Sequence, residues 1–126
     1  MPNRLPVAIG AVSLLLALST PAYAVGDAVR GAARYESLCT GCHSVETNRV
    51  GPAHRGVFGR KAGSAPGFGY SPNVKSSKII WNDVTLNKWL TNPQAMIKGA
   101  RMGFQVSDAK DRADVIAFLK LQTAKR

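Results

Sequence analysis

The chain has 126 residues, with 17 Lys and Arg against 7 Asp and Glu, a net charge of +10 and only two cysteines. That length holds one domain and little more, and two cysteines exclude a disulfide framework. The basic balance suits an anionic partner, but no nucleic-acid-binding motif accompanies it.

Residues 1–24 read as an export signal. Arg4 supplies a positive start, Val7 to Leu18 is an almost wholly apolar run, and Pro21-Ala22-Tyr23-Ala24 offers a cleavage site after Ala24. The run falls short of the roughly 20 residues that span a bilayer, so cleavage is favoured over a retained anchor. The expected mature domain is 25–126, located in the periplasm. Removing Arg4 from 17 basic residues against 7 acidic ones leaves about +9. The expected partners are acidic protein faces, with no nucleic acid and no stable membrane insertion. A monomer is expected.

Asp27 is the expected N-cap of a first helix, with Val29, Ala32, Ala33 and Leu38 as its inward face and Arg30, Arg34 and Glu36 facing away. Between Ser44 and Lys78, glycines and prolines such as Gly51, Pro52, Gly63 and Pro72 break every helical or strand period. A helix is predicted from about Asn82 to Thr91, ending before Pro93. A turn or two around Gln94 to Lys98 closes at Gly99, and Ser107-Asp108 caps a last helix carrying Val115, Ile116 and Leu119. The pattern is all-α: helices joined by a long glycine-rich wrap with a thin apolar core. A structureless stretch of that length needs an object to close around, and a large apolar cofactor supplies one.

Both cysteines lie in Cys39-Thr40-Gly41-Cys42-His43. A dithiol switch calls for a strand-to-helix setting within an α/β fold, which the surrounding pattern lacks. A zinc site would use Cys39, Cys42, His43 and His54, but Cys42 and His43 are adjacent and badly spaced for one tetrahedral ion. Haem attachment explains all three residues. The two thiols form thioethers with its two vinyl groups, and their spacing puts them about one helical turn apart. His43 then follows at i+4 from Cys39, placed to bind the iron.

A second axial ligand decides between an electron carrier and a ligand-binding or catalytic haem. The candidates are His54, Met96 and Met102. Met96 has helical spacing with Trp89 and Leu90, which indicates core packing. Met102 stands between Arg101 and Gly103, where a methionine makes poor core but a loop can aim it freely. Its thioether is a good iron ligand that raises the reduction potential when paired with histidine. Met102 is therefore the expected ligand, and His54 an outer residue.

In combination, CTGCH at 39–43, Gly51-Pro52, GVFGRKAGSAPGFGYS at 56–71, IIW at 79–81, LTNP at 90–93, KGARMGF at 98–104 and DRADVIAFL at 111–119 resemble class I cytochrome c, the mitochondrial type and its bacterial periplasmic relatives. The resemblance runs from Gly26 to Lys120. It implies three to five helices with a glycine-rich loop around one covalently bound haem c. It also implies that the Pro52 carbonyl accepts from His43, that Arg60, Tyr70 and Trp81 bury and neutralise the haem propionates, and that Gly31 and Tyr35 mark the crossing with the last helix near Val115 and Phe118. Phe104 is expected at the exposed haem edge.

The chain departs from that pattern in places. The segment from His43 to Gly51 is short, Trp89 stands for a tyrosine, Ala100 for a threonine, Val74 for an asparagine, and His54 takes a usually apolar place. The expected function is single-electron transport between respiratory or photosynthetic redox complexes by a His/Met-ligated haem, without enzymatic activity. The competing class is a haem-based ligand-binding or peroxidase-like protein whose methionine is displaceable.

Overall fold

The computed structural model describes residues 25–124; the expected signal and its cleavage site lie outside them. Among the described residues there are five helices: α1 (Ala28–Leu38), α2 (Pro72–Lys75), α3 (Asp83–Thr91), α4 (Pro93–Met96) and α5 (Ala109–Ala124). The sole extended pairing among them is an isolated antiparallel bridge between Lys61 and Ile80. The all-α expectation holds.

Local chemistry explains where each helix starts. The Asp27 carboxylate accepts from the backbone N–H groups of Val29 and Arg30, both at 2.9 Å, answering two of the donors a helix start leaves unpaired. Asn82 and Thr85 cap α3 reciprocally, each side chain accepting from the other's backbone N–H. Asn92 then accepts from Ala95 N–H to start α4, whose first residue is Pro93. Asp108 accepts from Asp111 N–H at 2.8 Å and starts α5.

The core of the fold is the crossing of α1 and α5, and here one expectation fails. The buried residues of α1 are Gly31 and Tyr35, with Leu38 half-buried. Val29 is 83 % exposed, and Ala32 and Ala33 are exposed as well. The close approach of α5 selects the stripe: a Cβ at Gly31 would lie 1.9 Å from the Asp114 carbonyl oxygen. Only the position without a side chain lets the two backbones meet, so the stripe built on it turns inward.

From α5, Val115, Ile116 and Leu119 join Leu86 and Leu90 of α3 in one apolar cluster with Tyr35, Val57 and Trp81. A smaller cluster of Val74, Ile97 and Ala100 packs beneath Met96 and Trp89. The glycine-rich wrap is ordered by backbone ties rather than by a period. Trp81 N–H donates to Arg60 O at 2.9 Å and Ala62 N–H to Ile79 O at 2.8 Å. Asn48 staples two loops, its Nδ2 donating to Pro66 O at 2.9 Å while its Oδ1 accepts from Ala53 N–H at 2.9 Å. The wrap was expected to be wholly irregular, but α2 forms one helical turn within it. Pro72 fills its first position, where a missing N–H costs nothing.

Candidate haem site

A mainly apolar cavity of about 430 Å³ opens between the wrap, the end of α1, α3 and the loop after α4, within the size range of small-ligand sites. Leu38, Val57, Leu86, Leu90, Val106 and Leu119 supply its apolar wall. Cys39, Cys42, His43, Pro52, Arg60, Tyr70, Trp81 and Met102, all eight expected site residues, line it together.

The attachment motif continues the last turn of α1. His43 N–H donates to Cys39 O at 2.9 Å, a helical i to i+4 bond that places Cys39 and His43 one turn apart. Burial, with Cys42 adding to it, pushes the Cys39 thiol up to about 11. Dithiol exchange favours a depressed thiol at a strand-to-helix turn, whereas this pair ends a helix and no strand lies among the described residues. The zinc reading loses its geometry, because among the described residues no three His, Cys, Asp or Glu side chains converge on a metal position.

His43 is fixed along one edge. Its Nδ1–H donates to the Pro52 carbonyl at 2.8 Å, which leaves Nε2 as the free donor atom for a metal. Gly51 lies against the same edge: a Cβ there would come within 2.1 Å of His43 Cε1. Burial, only partly offset by the Pro52 bond, lowers the His43 pKa, which favours the neutral imidazole a metal ligand needs.

Met102 reaches the cavity from a loop held on both sides. Gln94 Nε2 donates to Met102 O at 3.0 Å and also to Ala100 O. Arg101 Nη1 donates to Gly69 O at 2.9 Å, tying this loop to the wrap. Met96 packs against both apolar clusters and is absent from the cavity wall, as its helical spacing implied. His54 does line the cavity, but beside His43 rather than apart from it: the two rings stack with centroids 4.1 Å apart. Burial, then the neighbouring His43 and Arg60, push the His54 pKa down to about 3, so its imidazole is neutral.

Two buried polar atoms on the wall have no partner within the chain, Arg60 Nε and Ser71 Oγ. Arg60 spends its other nitrogens on Arg55 O at 3.1 Å and Ala53 O at 3.0 Å. Ser71 occupies the N-cap position of α2 yet makes no side-chain cap bond. Orphaned buried polar atoms are costly, and an anionic group at the rim of a bound cofactor would satisfy both. Tyr70 accepts from Ala65 N–H at 3.0 Å and keeps its own hydroxyl proton available. Ser71 was not among the expected site residues; the one sequence signal for it is a serine just before the proline that opens a helix.

Two thiols, one free imidazole nitrogen, one thioether sulfur, an apolar wall and two unpaired polar atoms on lining residues suit a haem. The comparisons agree. The family profile for cytochrome c matches residues 28–122. The chain is 43 % identical over 120 residues to cytochrome c2 of Rhodomicrobium vannielii, covering 92 % of this chain and 95 % of that one. It is 44 % identical over 98 residues to cytochrome c of Euglena viridis, covering 75 % and 96 %. The solved structure of cytochrome cH from Methylobacterium extorquens superposes with a TM-score of 0.73 at 39 % identity, over 76 % of this chain and 99 % of that one. The chain belongs to the cytochrome c family, with the class I fold and one covalently attached haem c.

Proposed function

We propose that this chain is an exported, monomeric electron carrier in which Cys39 and Cys42 attach the haem and His43 and Met102 are its axial ligands. The observation that carries the reading is the convergence of His43 and Met102 on one cavity from separate segments, each held by backbone hydrogen bonds. When bound, the haem supplies reversible one-electron chemistry at its iron. The chain's part is to keep both ligands still, exclude water with the apolar wall and answer rim charge with Arg60, Ser71 and Tyr70. Filling both axial positions from the protein leaves no place for a substrate, which argues against enzymatic activity.

The surface supports docking on acidic protein faces. Asp27, Glu46, Asp83, Asp111 and Asp114 are ion-paired within the chain. No acidic residue lies between Thr47 and Asn82 or between Val84 and Ser107, the segments that wrap the cavity. Lys61, Lys75, Lys98 and Arg101 are exposed there, and Phe104, 50 % exposed, stands at the cavity mouth. Such a field steers encounter more than it adds affinity. The periplasm is the proposed location, on the reading of residues 1–24 as a signal; no helix among the described residues is long and apolar enough to cross a membrane.

The optical spectrum of the reduced holoprotein with and without carbon monoxide tests the ligation. An unchanged low-spin spectrum is expected, and rapid carbon monoxide binding would move the chain to the ligand-binding class. Docking is tested with Lys75→Glu and Lys98→Glu together. Their electron transfer to an acidic-faced partner is expected to slow about tenfold at low salt, with the difference vanishing near 1 M salt. A salt-independent rate sinks the docking proposal.

A further inference from the structure

The residue that covers a face of the His43 ring is not one of the attachment, ligand or rim residues. It is His54, whose ring lies 4.1 Å from the His43 ring with 21° between the planes. The Tyr35 hydroxyl is hydrogen-bonded to His54 Nδ1 at 2.9 Å. Tyr35 is itself 4 % exposed and packs on Phe118 with ring centroids 4.9 Å apart. A chain of contacts therefore runs from the crossing of α1 and α5, through Tyr35 and His54, to the face of His43.

The other restraints on His43 act at its edge. Pro52 takes the Nδ1 proton and Gly51 lies against Cε1. A hydrogen bond tolerates a spread of angles, so an edge bond leaves the ring plane free to rock. A flat group on the ring face removes that freedom. An aliphatic side chain at position 54 would fill the same space without needing a polar partner. A buried imidazole without one is costly, and here a tyrosine hydroxyl from α1 supplies it to a residue of the wrap. The match of two polar groups, neither required for packing, is the observation that asks for a role.

We propose that Tyr35 and His54 form a positioning couple for His43: Tyr35 holds His54 at Nδ1, and His54 holds the plane of the His43 ring, setting how Nε2 meets the haem iron. The couple rests on His43 being an axial ligand. It acts through orientation alone, with no proton leaving or joining either residue.

The test uses the holoprotein with Tyr35→Phe, His54→Leu and the double variant. Two readouts apply: the paramagnetic shifts of the haem methyl protons in the oxidised form, which follow the orientation of the axial imidazole plane, and the reduced-to-oxidised ratio at a fixed electrode potential. Both single variants are expected to move the methyl pattern in the same sense. Each should change the ratio by about threefold or more, which is about 28 mV for a one-electron couple. The double variant should shift no further than His54→Leu alone, because both changes act through one contact. An unchanged methyl pattern, even with lower stability, reduces the couple to packing and overturns the proposal, and additive shifts overturn it as well. Tyr35→Phe removes a single oxygen, so it carries the test if His54→Leu does not fold. A wild-type holoprotein without histidine ligation would overturn the axial assignment and the couple together, which separates that failure from one confined to the variants.

Discussion

Gly31 and Asp114 touch backbone to backbone: a Cβ added to the glycine would fall 1.9 Å from the Asp114 carbonyl oxygen. Neither α1 nor α5 can yield without opening the apolar cluster behind them. Gly31→Ala is therefore expected to destabilise the holoprotein by at least about 2 kcal/mol, read as a lower denaturation midpoint. Ala32→Ser on the exposed face of the same helix should change it by no more than about 0.5 kcal/mol. Equal effects of the two would mean that the helices do not cross at Gly31.

Asp114 is 1 % exposed and accepts from Arg30 Nε at 3.0 Å, Asp27 N–H at 2.7 Å and Lys110 Nζ at 3.0 Å. Arg30 first, then the Asp27 amide, hold its pKa well below the ordinary 3.8. A carboxyl depressed in the folded state adds stability that is complete above its unfolded value and lost as pH falls toward the folded one. The unfolding free energy should therefore decline as pH drops below about 4. Asp114→Asn is expected to lower stability at pH 7 by about 2 kcal/mol and to flatten that acid limb. Parallel acid limbs for the two proteins would assign the decline to other carboxyls.

If Met102 is the second axial ligand, Met102→Ala should open that position while the loop, held through backbone carbonyls, stays in place, at about 1–2 kcal/mol for a half-buried side chain that packs on the main apolar cluster. The reduced variant is expected to bind carbon monoxide readily where the wild type does not. Met96→Ala should leave carbon monoxide behaviour unchanged while costing about 1–2 kcal/mol of stability, because its side chain packs against both apolar clusters. The reverse pattern would exchange the roles of the two methionines.

Ser71 Oγ is buried without a partner in the chain. If it answers the anionic rim of the haem, Ser71→Ala costs about 1–2 kcal/mol of holoprotein stability. A hydroxyl that is unsatisfied in the holoprotein too would make the alanine neutral or stabilising, so the sign of the change is the measurement.

Much of the site was legible along the chain because its rules are local. The spacing of Cys39, Cys42 and His43 is a property of one helical turn, and the helix starts at Asp27, Asn82 and Asp108 follow from short side chains reaching their own backbone. Met102 stood out because a methionine between an arginine and a glycine, outside any helix, makes poor ordinary core by its sequence setting. Arg60, Tyr70 and Trp81 came from resemblance rather than from any pattern, and all three line the cavity.

What the sequence by itself determined was the covalent attachment of a haem and the need for an object inside the glycine-rich wrap. Only the tertiary structure decided which stripe of α1 is buried, that Ser71 lines the cavity with a buried, unpartnered hydroxyl, and that His54 lies on the face of His43 with Tyr35 behind it. Apolar counting favoured Val29, Ala32 and Ala33, but the closest approach of two helices occurs where a side chain is missing. That preference is set by the partner helix, more than eighty residues away along the chain. The contact of His54 with His43 depends in the same way on how the wrap folds back, a distance that no local spacing encodes.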